Sequence, residues 1–420
     1  MCYLTYYVIS DLHMGYGKLQ DFVNNLDLIS FLQEKKKGDV LIFNGDTFDF
    51  VQTPFSKEDQ IPQLSVPDCP KIGPTEQQSL KKLKLIIEKH ADIFQEFKNC
   101  FQRGVGLHFI IGNHDLDLAW PQVSEHLRKE IRGTASEGNN LTIVKEFVLY
   151  SPKGNIPIIK IFHGHQQTGR ANYIERWEDP FIYNGNEKHL IQPWGTQLMA
   201  ILINPIDLEF PYIDNIKPFS RFLTLFGMTN ERYLQVIYKI IFDHFINVLR
   251  KPDSYLSAND LKHLCHIQEV LQHVHDFKLK RLSNQTNCWI QEVLRNPEER
   301  LVLGLVCGKG AKIIIDGIRG KESKLLQTHA TKLIEEKQCN FVICGHTHES
   351  NIYNSHYINT GTWIPYLKPN IERNPTLPKK LACYRKKNLA LFETNLTYAQ
   401  FSYNPHQGFV NGGGPVLKTW

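Results

Sequence analysis

The sequence has no run of 18 apolar residues, so no transmembrane helix is expected. Its first apolar strand pattern starts within a few residues of Met1, which leaves no room for a signal peptide. The nine cysteines are an odd number, and no pair has the close spacing of a zinc knuckle. That usage fits a reducing compartment, and a cytoplasmic location is the expectation. No internal repeat is visible. There is also little charge of one sign: the formal net is +5, and it is local. From position 364 onward eight cations face two acids, a net of +6, so the remainder is near neutral. The basic cluster at 379–387 reads as a solvated loop before it reads as a phosphate or nucleic-acid patch. With 42% hydrophobic residues the chain is not a disordered one. Its 420 residues exceed one ordinary core, which implies a catalytic domain with additions.

What is present is one pattern used five times. Phe109-Ile-Ile-Gly-Asn-His-Asp115 is an apolar run that stops at a glycine and then delivers an amide, an imidazole and a carboxylate. The run reads as a buried parallel strand, and open α/β sheets place ligands just past such strand ends. The pattern recurs at Tyr7-Val-Ile-Ser-Asp11-Leu-His13 and at Val40-Leu-Ile-Phe-Asn-Gly-Asp46-Thr-Phe-Asp49. It returns at Ile158-Ile-Lys-Ile-Phe-His163-Gly-His165 and at Phe341-Val-Ile-Cys-Gly-His346-Thr-His348.

Between these motifs the pattern alternates strand and helix. Strands are expected at 3–9, 40–43, 107–111 and 341–344, and helices at 19–35, 75–102, 120–132 and 322–336. Residues 141–150 and 156–162 read as two strands paired around Pro152-Lys-Gly154. Residues 51–74 hold Pro54, Pro62, Pro67, Pro70 and Pro74, a long loop beside the candidate site. From 171 to 300 the pattern is helical and aromatic-rich, with no strand signal of comparable strength. Its clearest helices are 231–250 and one opened by Ser257-Ala-Asn-Asp260. Strands then return at 301–306 and 312–315. Two short ones flank Asn359-Thr-Gly-Thr-Trp363, and one or two late ones fall within 389–403.

Any one of these motifs alone is better explained by turns and caps. Five together are not. Burying so many imidazoles and carboxylates is costly unless a metal compensates them, and Asp, Asn and His suit borderline and hard divalent ions. Asp-x-His, Gly-Asp-x-x-Asp, Gly-Asn-His-Asp, His-Gly-His and Gly-His-Thr-His resemble, in this order, the motifs of the calcineurin-like metallophosphoesterase superfamily. The resemblance covers 1–170 and 301–363.

That resemblance implies an α/β fold, a four-layer αββα sandwich. The helical stretch 171–300 lies outside it. Because that stretch leaves just after His163-Gly-His165 and returns before Gly345-His-Thr-His348, it is expected to be inserted as a cap over the metal rim. A basic C-terminal extension with late strands follows at 364–420. It implies two divalent metal ions, one held by Asp11, His13 and His348 and the other by Asn113, His163 and His346, with Asp46 bridging. A metal-bridging hydroxide would attack phosphorus. His114 resembles the general acid for the leaving group, with Asp115 orienting it. Asp49 is expected to orient a ligand. His165 and Arg170 are expected to support a ligand or touch substrate. Imidazoles supply four of the seven ligands, which favours Mn²⁺, then Fe or Zn²⁺, over Mg²⁺.

The protein-phosphatase branch continues Gly-Asp-x-x-Asp with Arg-Gly, where this chain has Phe50-Val51. The bacterial enzymes that cleave UDP-diacylglucosamine usually carry Arg at the position of His114. Expected partners are therefore a phosphorylated small molecule or a lipid-linked or nucleoside-linked phosphate, with peripheral membrane contact open. A nuclease acting on nucleic acid is an alternative reading. A non-catalytic protein-binding scaffold is another, although no ligand histidine is missing here.

Overall fold

The computed structural model describes residues 3–59, 61–66, 69, 71–133, 141–152, 154, 156–168, 172–208, 215, 321–366, 394–410 and 413–420. Two units divide the chain, Met1–Phe222 with Gly320–Trp420, and Leu223–Arg319. The second unit lies outside the described residues, as do the expected helices at 231–250 and from 257, the strands at 301–306 and 312–315 and the basic cluster at 379–387.

The first unit is a four-layer α/β sandwich. A seven-stranded sheet runs β13-β12-β1-β2-β3-β4, with β14 also on β12. Its strands are β1 (Leu4–Ile9), β2 (Asp39–Asn44), β3 (Gly106–Ile110), β4 (Leu141–Val144), β12 (Thr397–Asn404), β13 (Gly408–Phe409) and β14 (Val416–Thr419). Strands β1 to β4 are parallel, and β12 lies antiparallel on β1. A five-stranded sheet runs β10-β11-β9-β6-β5. It comprises β5 (Phe147–Tyr150), β6 (Pro157–Ile161), β9 (Phe341–Cys344), β10 (Asn351–Tyr353) and β11 (Tyr357–Asn359).

Period-2 alternation assigns the faces. Val8, Ile42 and Ile110 point to an inter-sheet core with Ile159, Ile161 and Ile343. Ile9, Leu41, Phe43, Leu107 and Phe109 point the other way, to the helices α1 (Asn25–Gln33), α2 (Glu76–Lys89), α3 (Ala91–Gln102) and α4 (Pro121–Arg132). The Lys321–Glu335 helix covers the outer face of the second sheet through Leu326, Ala330 and Leu333. Phe43 and Phe109 stack at 4.7 Å directly below the strand ends. Burying each such ring stabilises the fold by roughly 1.5–3 kcal/mol.

Four expectations change. The helix expected at 75–102 is two helices, because His90 has φ −112 and ψ 35, and its buried ring turns to the Gly15 carbonyl at 3.0 Å. The capping box on Thr75 starts the first of them. The helix expected at 19–35 is confined to α1. The strand expected at 141–150 splits at Lys145-Glu146, so that β4 joins the first sheet and β5 the second. Both short strands near Asn359-Thr-Gly-Thr-Trp363 precede its turn, as β10 and β11. Within 172–208 there is also a hairpin, β7 (Phe181–Asn184) with β8 (Glu187–Leu190). It is tied to the proline-rich loop by an Ile72–Ile191 bridge and by Gly73 N–H to the Leu190 carbonyl at 2.8 Å. Among the described residues no helix is long and apolar enough to cross a membrane.

Candidate metal centre

The motif residues sit just past the C-terminal ends of β1, β2, β3, β6 and β9. Their backbones are unusual. Asp11, His13, Asp46, His346 and His348 have φ of 54, 49, 50, 70 and 58. A non-glycine residue in this region costs about 1–3 kcal/mol and persists only where surrounding structure imposes it. Here the turns hold one another: Asp11 N–H bonds the Gly45 carbonyl at 3.1 Å, His13 N–H bonds the Asp46 carbonyl at 2.9 Å, and Gly345 N–H bonds the His163 carbonyl at 3.0 Å.

Each of two buried carboxylates spends one oxygen on a backbone donor. Asp11 Oδ2 accepts His346 N–H at 2.9 Å, and Asp46 Oδ1 accepts His114 N–H at 2.8 Å. The other oxygens meet imidazoles. Asp11 Oδ1 is 3.2 Å from His348 Nε2 and 3.9 Å from His13 Nε2. Asp46 Oδ2 is 3.0 Å from His163 Nε2 and 3.9 Å from His13 Nε2. His13 Nε2 and His348 Nε2 approach to 3.2 Å. Among the described residues three groups have the geometry to hold a metal ion: Asp11 with His13 and His348, Asp46 with His163 and His346, and His13 with Asp46 and His114.

The electrostatics suit a cation. Burial alone would raise the Asp11 carboxyl, but the His163 and His348 imidazoles bring it down to about 2. The same contest leaves Asp46 well below the carboxylate range, through His163 and His114. Against the cost of burial, Asp46 and Asp11 push His163 up to about 9, so a proton stands where the two carboxylates attract positive charge. Its Nδ1–H donates to the Asn44 carbonyl at 2.9 Å, which turns Nε2 toward Asp46. Buried Asn113 Oδ1 has no hydrogen-bond partner among the described residues, while Asp11 Oδ1 and His163 Nε2 face only titratable side chains, the first His348 with His13 and the second Asp46. An orphaned amide oxygen beside buried carboxylates and imidazoles packed this tightly is costly unless a cation satisfies the cluster, so the donor set fits a metal.

Asp49 has a carboxylate with three partners. Its Oδ2 meets His13 Nδ1 at 3.0 Å and His114 Nδ1 at 2.9 Å, while Oδ1 accepts Gln52 N–H at 2.7 Å. Those imidazoles hold it below the carboxylate range despite its burial. The expectation that Asp115 orients His114 is therefore corrected. Asp115 Oδ1 accepts Gly112 N–H at 2.6 Å and Oδ2 accepts Thr47 N–H at 2.8 Å, so the carboxylate ties the β2 and β3 turns together. Burial, with Asp46 nearby, pushes it up to about 7. His165 is buried beside the His163 ring, edge-on to Trp177 at 4.8 Å, and burial lowers it to about 3. Arg170 lies outside the described residues.

Some contributors were not singled out in the sequence. Asn172 Nδ2 lies 3.4 Å from His346 Nε2. Asn359 Nδ2 donates to the Gly345 carbonyl at 2.7 Å, and Thr362 Oγ1 to the Asp11 carbonyl at 2.8 Å. The signal for this bracing was the polar run Asn359-Thr-Gly-Thr, which follows a short apolar strand as the other motifs do.

A two-sheet sandwich that gathers Asp, Asn and His from five strand ends defines a metal-binding protein of the metallophosphoesterase class. The family model for calcineurin-like phosphoesterases matches residues 4–350, and the chain belongs to that family. No curated protein matches the chain. A solved structure of a protein of unknown function from Aquifex aeolicus is 13% identical, covering 51% of this chain and 76% of that one. Its TM-score of 0.21 is too low to bear on the argument.

Proposed function

We propose that this protein is a dinuclear-metal phosphoester hydrolase. The observation that carries the reading is Asp46 Oδ2, placed between His163 Nε2 at 3.0 Å and His13 Nε2 at 3.9 Å, in a cluster whose buried Asn113 Oδ1 has no hydrogen-bond partner among the described residues. Asp11, His13 and His348 would hold one ion, Asn113, His163 and His346 the other, and Asp46 would serve both. Mn²⁺ suits four imidazoles among seven ligands better than Mg²⁺, with Fe or Zn²⁺ the nearest alternatives. When bound, two divalent cations neutralise phosphoryl charge and acidify a water. The chain's own residues do the rest. Asp49 accepts His114 Nδ1–H at 2.9 Å, stabilises the imidazolium and fixes the ring. His114 Nε2 then gives the proton to the departing oxygen. On this reading 1–170 with 301–363 is the catalytic core and 171–300 a cap, and 364–420 is a C-terminal extension whose β12 completes the first sheet.

The test is a panel of aryl monoester, aryl diester, UDP-sugar and single-stranded DNA, each offered to Mn²⁺-loaded protein. Hydrolysis of at least one ester is the expected result. Protein that carries two ions by elemental analysis and cleaves none of them would instead be a binding scaffold.

Gly112 gives a second check. A Cβ there would come within 2.6 Å of the Asp46 backbone nitrogen and would also strike its carboxylate. Gly112→Ala should weaken metal binding roughly 10–100-fold, the usual scale for disturbing a ligand's support. Metal content after dialysis measures it, and unchanged occupancy would remove Asp46 from the ligand set.

A further inference from the structure

His346 is buried, and its backbone N–H is held by Asp11 Oδ2 at 2.9 Å. Its ring meets one carboxamide: Asn172 Nδ2 lies 3.4 Å from His346 Nε2, a long contact for a hydrogen bond. Asn172 is held in place from its own side. Two residues on, buried Ile174 donates its N–H to Gln166 Oε1 at 3.3 Å, and Trp177 packs edge-on to His165 at 4.8 Å. The orientation of the amide decides what His346 can do. An imidazole that binds a metal uses the lone pair of one nitrogen and carries its proton on the other. With the NH₂ group toward the ring, Nε2 must accept, the proton sits on Nδ1, and neither nitrogen is left for an ion. Half a turn of the amide brings Oδ1 to the same place at no cost in space, since the two ends of a carboxamide are alike in size. Nε2–H then donates, and Nδ1 is left with its lone pair.

We propose that Asn172 is a positioning residue for the second metal ion: its carbonyl oxygen accepts His346 Nε2–H and so keeps Nδ1 unprotonated for the ion that His346 shares with Asp46 and His163. The proposal rests on the dinuclear reading, in which His346 is a ligand. Two other imidazoles of the centre set the pattern. Ligand histidines generally give their second N–H to an oxygen, which fixes the tautomer and strengthens the donor nitrogen. His13 Nδ1 has Asp49 Oδ2 at 3.0 Å, and His163 Nδ1 has the Asn44 carbonyl at 2.9 Å. Asn172 is the side chain in place to do the same for His346, with the ring reversed: His13 and His163 would bind through Nε2, and His346 through Nδ1. Asn172 lies outside all five motifs, on the segment that leads to the β7–β8 hairpin, so the second ion is coupled to a part of the chain that supplies no ligand.

Metal retention tests this without catalysis. Full-length, Mn²⁺-loaded parent, Asn172→Ala and Asn172→Asp are dialysed against chelator-buffered Mn²⁺ of graded free concentration, and bound manganese is counted by elemental analysis. The parent should hold two equivalents. In Asn172→Ala one of them should need about 10–100-fold more free Mn²⁺, the usual scale for losing the outer partner of a ligand. Asn172→Asp offers oxygen and no N–H, so it should hold both ions at least as firmly as the parent. If Asn172→Ala fails to fold by circular dichroism, Asn172→Leu takes its place. The proposal is overturned if Asn172→Ala keeps manganese as the parent does or more tightly, the result expected where the NH₂ group competes with an ion for Nε2. It is equally overturned if Asn172→Asp is as weak as Asn172→Ala. A parent that holds fewer than two equivalents loses the dinuclear reading and this proposal together. A parent that holds two and cleaves no ester loses the hydrolase reading alone, and one that cleaves esters while Asn172→Ala retains both ions loses this proposal alone.

Discussion

Asp46→Asn should empty both metal positions together. The carboxylate has divided duties: Oδ1 takes the His114 N–H at 2.8 Å, and Oδ2 faces His163 Nε2 at 3.0 Å and His13 Nε2 at 3.9 Å. An amide cannot serve both ends. If its oxygen keeps the His114 N–H, its NH₂ points donors at the cations; if it is flipped, two donors meet at His114. A negative charge between two cations is lost in either case, and the ions then repel with nothing shared to offset it. Affinity for each ion should fall more than about 100-fold, beyond the usual effect of altering a ligand's support. Hydrolysis should fall to background. Elemental analysis of dialysed protein measures the first effect, and a variant that keeps one full equivalent would confine Asp46 to a single site.

This centre was legible in the sequence to the degree that its ligands follow short apolar strands, of which β2 is buried throughout. Val40–Phe43 and Phe341–Cys344 are continuous apolar runs that end at a polar turn, too short for a buried helix and the right length for a buried strand. The ends of those runs locate Asp46 and His346 without any knowledge of which residues they meet. The pairings were not legible. Asp115 adjoins His114 in the chain, yet Asp49, 65 residues away, makes the contact, because the turn after β3 points Asp115 inward to Gly112 N–H. Adjacency in sequence says little about contact where the backbone turns sharply. Residues 141–150 misled for a related reason. Alternation identifies a strand but not its sheet, and Lys145-Glu146 carries the chain from one sheet to the other with no glycine or proline to mark the change. The β7–β8 hairpin was hidden by charge: Glu187-Lys-His is a weak strand former, and its pairing with Phe181–Asn184 supplies what propensity does not.

His114→Ala should keep both metals and lose turnover by about 10²–10⁴-fold, the range for a general acid. The placement of the ring separates its role from that of its neighbour. His13 and His114 share one carboxylate oxygen, Asp49 Oδ2, at 3.0 and 2.9 Å, and pack edge to face at 4.5 Å. Yet the His13 side chain is 5% exposed and that of His114 15%, so the second ring stands nearer the open side. Asp49 stabilises whichever ring is protonated, and a metal at His13 Nε2 would leave His114 as the one able to carry a proton to substrate. The loss should shrink for esters with very acidic leaving groups, which depart without protonation. A 2,4-dinitrophenyl ester compared with a phenyl ester therefore reports the role directly. The competing geometry is the His13, Asp46 and His114 group, which has its ligand atoms close enough to grip an ion. If that group is the one used, His114→Ala will come off the column depleted of metal, and an equal loss on both esters will accompany it.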